Sequence, residues 1–463
     1  MATNSADEHD GSSLLGRDTT HISHPPGAPE LSEAEAAATL RKVAVRLLPL
    51  LLLSYLANLL DRNNVGFAKL SMQDDLGMSD SAYAFGTGMF YFGYLVFEVP
   101  SNLILRRTGA RLWIARIMLT WGLASCATMF VVGLKSFLAV RILLGVAEAG
   151  FFPGMILYLT YWFPARQRTR AVACFMAANA VGGMITNPLS GLIVQHLDGV
   201  RGLHGWQWIF LLESIPSLVL GVCIYFLLTD RPAEAHWLRD DQRNWLAQRM
   251  SREEHHRAQR HGADLWQAVG SPRVWYLILL YFTVAFCSNA GGLYLPELIQ
   301  NQFPDSTKFQ IGLLAAVPNV CGMVGMLING AWADRTRNYH LHVGLAALVG
   351  GMGWALAAAA KSGLWTGGGS AIWTIAGLSL AVLGAMSMLP PFWSLPTSFL
   401  SGAAAAGGIA LINSLGNIGG LLGQWTMGLA RDATGSHLCG LVGLAGMLML
   451  GSALALFAPH DPS

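Results

Sequence analysis

Asp61 and Arg62 close one long apolar run, and Arg141 and Glu148 lie inside another. A charged side chain at that depth in a lipid-spanning helix is costly unless it faces a protein interior or a water-filled path, so these four mark a candidate site. An arginine offers a planar fork of donors, stays protonated and can grip a carboxylate or sulfonate bidentately. A carboxyl group screened from water can hold a proton, an effect that a neighbouring arginine opposes. Two arginines beside two acids therefore suggest an anion site coupled to protons. Arg141 and Arg62 are the expected anion contacts, and Asp61 and Glu148 the expected proton carriers.

Helical spacing constrains the four. Arg141 and Glu148 are two turns apart on one face, separated by about 10 Å along the axis, and can line one cavity without being forced into an ion pair. Asp61 and Arg62 are adjacent and point about 100° apart, so only one of them can face that cavity squarely. The competing arrangement is a structural ion pair, Asp61 with Arg141, locking the two helices together. Glu98 and Glu213 are further carboxyl groups in apolar surroundings, read as packing or gating partners. Tyr91, Tyr94, Asn179, Asn289, Tyr294, Asn413 and Asn417 are uncharged candidates for hydroxyl recognition or for hydrogen bonds between helices.

The elements that must position these residues follow from composition. Hydrophobic residues make up 53% of the 463 and charged residues only 12%, half the usual share of a soluble domain, so the chain reads as a polytopic membrane protein. The 52 glycines suit helices packed backbone to backbone in lipid. A net charge of +2 gives no reason to expect a nucleic-acid partner. Six isolated cysteines, at 126, 174, 223, 287, 321 and 439, form no CxxC pair and no ligand spacing with histidine, which argues against metal and disulfide roles. No Ser/His/Asp set, HExxH or phosphate loop points to an enzyme. No cofactor is expected beyond the proton as coupling ion.

Residues 1–42 are polar, lack the apolar core of a signal peptide and read as a disordered cytoplasmic tail in which His9, His21 and His24 are solvated. Apolar runs long enough to cross a bilayer as helix recur near 45–66, 83–104, 112–133, 137–161, 171–195 and 206–228. A second set falls near 274–298, 310–333, 342–361, 371–394, 404–429 and 437–458. This predicts an all-α membrane protein of twelve transmembrane helices, with six in 43–228 and six in 274–463. A cytoplasmic loop, 229–273, separates them and carries eight arginines and seven acids. Within it, Trp237 to Leu246 can form an amphipathic surface helix. Arg41, Lys42, Arg106, Arg107, Arg111, Arg166, Arg168, Arg170, Arg335 and Arg337 all fall on one side, so both termini are expected in the cytoplasm.

An internal echo supports two repeated halves. After the eighth span comes Gly330-Ala331-Trp332-Ala333-Asp334-Arg335-Thr336-Arg337, and after the second comes Asn102-Leu103-Ile104-Leu105-Arg106-Arg107-Thr108-Gly109. Both resemble the Gly-x-x-x-Asp-Arg-x-Gly motif of the major facilitator superfamily. The second copy keeps Gly330, Asp334 and Arg335; the first keeps Arg107 and Gly109, with Asn102 and Arg106 in place of Gly and Asp. Finer blocks resemble the anion:cation symporter branch: Asp61-Arg62-Asn63-Asn64-Val65-Gly66, the run RILLGVAEAGFFPG from Arg141 to Gly154, Trp206 to Glu213, Phe392 to Pro396, and Gly408 to Asn417.

The resemblance implies two pseudo-symmetric six-helix bundles with the site between them, an arrangement of repeats that this superfamily itself exemplifies. It implies a multi-pass protein of the cell membrane, expected to be monomeric, that takes up a small organic anion with protons by alternating access. The expected substrates are sugar acids, dicarboxylates or aromatic carboxylates, and a proton-coupled efflux exchanger is the alternative. It supports Asp61 and Glu148 as proton-coupling acids, adds Asn179 and Asn413 to Arg62, Arg141 and Tyr94 in the substrate set, and makes Gly330, Asp334, Arg335, Arg107 and Gly109 gating residues. Proline in the spans, Pro153, Pro188, Pro296 and Pro390-Pro391, interrupts the hydrogen-bond ladder and marks expected gates.

Overall fold

The computed structural model describes residues 31–260, 270–362, 368–399 and 402–457, and these contain helices and turns but no strand. The helices are α1 (Glu33–Asp75), α2 (Asp80–Thr108), α3 (Ala110–Ala127), α4 (Leu134–Glu148), α5 (Phe151–Trp162), α6 (Ala165–Leu197), α7 (Gly205–Leu227) and α8 (Asp240–Arg260). There follow α9 (Pro272–Gln300), α10 (Lys308–Thr336), α11 (Tyr339–Lys361), α12 (Gly368–Phe399), α13 (Gly402–Gly416), α14 (Ile418–Thr434) and α15 (Leu438–Leu456). Ten helical stretches among the described residues are long and apolar enough to cross a membrane, with α4 and α5 counted as one. The more polar α6 and the broken α13–α14 stretch complete the twelve crossings. Seven of the helices, counted in chain order from α1, build the first bundle; α9 to α15 build the second.

Local sequence sets the ends. Ser32 caps α1 through a reciprocal box with Glu35, and Thr307 caps α10 in the same way with Gln310, each pair satisfying backbone donors that the first turn leaves open. The stretch 33–42, expected in the polar tail, is therefore the first part of α1. Residues 1–30 lie outside the described residues. The helix expected from Trp237 begins at Asp240 instead.

Two spans are discontinuous where a single helix was expected. Gly150, at φ +87°, separates α4 from α5, leaving Glu148 as the last residue of α4. A Cβ at Gly150 would sit 2.8 Å from Ser101 Cβ, so α2 packs against the bare backbone there. Pro153 consequently lies in the first turn of α5, where its missing N–H removes no bond, and the break belongs to Gly150 rather than to the proline. The second break falls at Asn417, between α13 and α14.

The two motif loops each end their helix at a positive φ, in different conformations and with different residues. Gly109 ends α2 at φ +90°, and Arg337, which stands in the second copy where the pattern has glycine, ends α10 in the left-handed region at φ +55°. A side chain there costs roughly 1–2 kcal/mol relative to the right-handed region.

The bundles meet through α1 on α9, α2 on α14 and α6 on α10. Contact is closest at the face opposite the termini: a Cβ on Gly428 would lie 2.7 Å from the Asp80 carbonyl, and one on Gly191 2.5 Å from that of Lys308. Small residues let these backbones approach in lipid.

Candidate functional site

The central site is built where α4 lies against α2. A Cβ on Gly145 would come within 2.9 Å of the Tyr94 amide nitrogen, so glycine is what permits the approach. Arg141 and Glu148 lie one turn to either side of that contact and are thereby carried to the interior, 3% and 1% exposed. Arg62 reaches them from α1 and donates from Nε to Glu148 Oε1 at 2.5 Å. The guanidinium carbons of Arg62 and Arg141 lie 5.1 and 5.4 Å from the centre of the Phe90 ring, and that of Arg62 lies 5.3 Å from the centre of the Tyr94 ring. Aromatic faces stabilise cations that water does not reach.

Arg141 is undersupplied with partners. One Nη donates to the Thr87 carbonyl at 3.2 Å, while Nε and the other Nη have no hydrogen-bond partner among the described residues; nor does Glu148 Oε2. A buried guanidinium edge with open donors is energetically poor alone and complementary to an anion. The three groups Arg62, Arg141 and Glu148 carry a net charge of +1 when the acid is ionised.

Asp61 sits apart from this cluster. It points away from Arg141 into a pocket between α3 and α7, accepting from Trp121 Nε1 at 2.8 Å, Ser125 Oγ at 2.6 Å and Ser217 Oγ at 2.5 Å. The competing Asp61–Arg141 pair is thus absent, and the ion pair that does form joins Arg62 to Glu148. The 100° offset between neighbours decides this: Arg62 faces the bundle interface, so Asp61 faces its own bundle's interior. Glu213, also on α7, is 1% exposed and accepts from Ser190 at 2.7 Å.

Across the interface stands a wall of neutral donors. Glu98 of α2 accepts from Ser414 at 2.5 Å and from Asn413 at 3.4 Å, and Asn417 donates to Asn413 at 3.3 Å. Tyr91 hydrogen-bonds Asn289 of α9. Tyr94 and Asn413 therefore lie with the arginines on the two sides of one interface. The side chain of Asn179 lies outside the described residues.

The motif residues are not joined. Arg107, Asp334 and Arg335 are exposed and no ion pair links them among the described residues; Gly109 abuts the Asp230 carboxylate, which also accepts from the Arg111 amide at 2.7 Å.

At the opposite face, charges overlooked by sequence reasoning close the interface. Lys69 of α1 reaches Asp80 at 2.7 Å and Glu297 of α9 at 2.5 Å. Arg431 of α14 reaches Asp80 at 3.1 Å and Glu297 at 2.7 Å, and His437 lies 3.0 Å from Glu297. Asp432 accepts from the backbone amides of Asp80 and Ser81, both at 3.0 Å, at the positive end of α2. Lys69, on a side otherwise poor in cations, was the available signal. With this end latched and the motif charges near the termini unlatched, the protein is closed at the far face.

Two bundles meeting over a buried, charged site are the architecture of a membrane transporter for small molecules. Residues 51–424 match the family model described as Major Facilitator Superfamily, and the chain belongs to that superfamily. It is 44% identical over 420 residues, 91% of each chain, to a putative tartrate transporter of Agrobacterium vitis. It is 42% identical to the putative metabolite transport protein NicT of Pseudomonas putida, covering 90% of this chain and 94% of that one. It is 38% identical to a quinolone resistance transporter of Acinetobacter baumannii, covering 89% and 93%. Among solved structures, the partially occluded inward-open xylose transporter XylE of Escherichia coli shares its fold, with a TM-score of 0.72 at 15% identity over 91% of this chain and 99% of that one.

Proposed function

We propose that this transporter takes up a small organic anion together with protons, with both termini in the cytoplasm. The single observation that carries the reading is the buried guanidinium of Arg141 with two nitrogens lacking partners among the described residues. A substrate carboxylate would take those donors and neutralise the +1 cluster. If Glu148 accepts a proton, it releases Arg62 to the substrate as a second cation, so protonation strengthens anion binding. Asp61, held by three donors off the substrate path, would carry a proton within the first bundle. Tyr94 and Asn413 would recognise neutral parts of the substrate, and motif residues Gly330, Asp334, Arg335, Arg107 and Gly109 would latch the cytoplasmic end once the far-face charges part.

A co-transported proton also matters energetically, because a lone anion entering against an inside-negative potential is opposed by about 2.3 kcal/mol per charge per 100 mV. The relatives named for tartrate transport support a carboxylate substrate. The quinolone-resistance relative supports a second reading, proton-coupled efflux of a carboxylate-bearing compound through the same site. Proteoliposomes under an imposed pH gradient separate the two. Accumulation of labelled tartrate, or of another acid from a panel, driven by outside acid supports uptake; extrusion under the same gradient sinks it.

A further inference from the structure

We infer that the junction of α1 with the loop before α8 is a binding site for the headgroup of an anionic phospholipid. A cleft of about 810 Å³ lies there, lined by Ala37, Ala38, Arg41, Lys42, Arg46 and Trp237, with Val45 at its rim. Lys42 Nζ donates to the Trp237 carbonyl at 2.8 Å, and the Arg46 guanidinium lies 5.0 Å from the centre of the Trp237 ring. Trp237 is fixed from behind by stacking on Trp162, with centroids 5.6 Å apart. The cleft is therefore held by two separate parts of the chain rather than by one helix surface.

Its charge is uncompensated. Three other cations at this end have carboxylate partners: Arg111 with Asp230, Arg239 with Asp241 and Arg243 with Asp240. Among the described residues no carboxylate pairs with Arg41, Lys42 or Arg46, and none lines the cleft. Three cations without a counter-charge, two of them guanidinium forks, suit a phosphate.

Continuity along α1 selects a lipid over a free anion. Arg41 and Lys42, then Val45 and Arg46, then Pro49 and Leu53 form one exposed stripe at helical spacing. Its first turn is cationic and its continuation apolar, with Val45 68% and Leu53 49% exposed. A phosphate held at Arg41 and Arg46 would thus lay its acyl chains along Pro49 and Leu53. Basic residues next to a span attract anionic lipid in this way.

The full chain in nanodiscs of phosphatidylcholine doped with phosphatidylglycerol provides the test, with retained lipid counted by native mass spectrometry after release. The wild type should retain phosphatidylglycerol in preference to phosphatidylcholine. Each cation removed should weaken retention about fivefold, and Arg41→Gln with Arg46→Gln together on the order of 25-fold. The double Arg→Lys variant should keep most of it, and Arg239→Gln, in a paired site outside the cleft, should keep all of it. Equal retention of the two lipids, or full retention by the double Gln variant, overturns the proposal. Displacement of phosphatidylglycerol by millimolar inorganic phosphate would assign the cleft to a free anion and overturn the lipid assignment.

Discussion

Arg141 is predicted to be a liability to the empty protein and the strongest anchor of the loaded one, and two substitutions separate these effects. Its side chain is 3% exposed and, among the described residues, makes one hydrogen bond at 3.2 Å and leaves two nitrogens without partners. A charge-assisted hydrogen bond is worth about 1.5–3 kcal/mol, so a bidentate grip on a carboxylate is worth roughly 3–6 kcal/mol. Arg141→Lys keeps the charge but loses one arm of the fork, and should weaken anion binding roughly 10- to 150-fold. Arg141→Met removes both arms and should abolish measurable binding. The same change relieves an unsatisfied buried group, whose cost is about 1–3 kcal/mol, so the empty Met variant should unfold at a higher temperature than the wild type. Thermal unfolding of purified protein, titrated with the acid that shifts the wild type most, reports both quantities. Unchanged affinity in Arg141→Lys would move the anion contact to Arg62. A Met variant that is less stable when empty would mean that Arg141 is a structural strut, and the reasoning from its open donors would fail.

Further outcomes follow from the other groups. Glu148→Gln removes the acid that ties Arg62 and should abolish uptake driven by a pH gradient while leaving exchange of labelled for unlabelled substrate; concentrative uptake by this variant would refute its proton role. Lys69→Met breaks a buried charge cluster, for which losing one partner costs about 3–5 kcal/mol, so the far face should open. Spin labels on Val200 and Asp305, in loops of the two bundles at that face, should then show a longer distance population, and an unchanged distribution would show that the cluster is not a latch. Arg337→Gly places glycine where φ is +55° and should stabilise the protein by up to about 1 kcal/mol, read as a raised unfolding midpoint. Gly145→Val should push α4 from α2 at the Tyr94 amide and abolish transport, because the arginine and the acid on α4 lose their common position.

Much was legible in the chain itself. The apolar runs, the paucity of charge and the repeated motif determine a helical membrane protein of two halves, because lipid leaves the backbone few alternatives to helix. The four intramembrane charges could be picked out for the same reason: their cost in lipid makes them conspicuous. Adjacent spacing stated that Asp61 and Arg62 face different ways. Only packing decided which way, placing Arg62 on Glu148 and Asp61 among Trp121, Ser125 and Ser217. The breaks at Gly150 and Asn417, the donor wall at Asn413 and Ser414, and the latch from Lys69 to Arg431 likewise needed the assembled bundles. These join residues from separate helices, and partners hundreds of residues apart leave no mark in local periodicity. The sequence determined which groups are too costly to sit in lipid; the tertiary structure alone decided which of them meet.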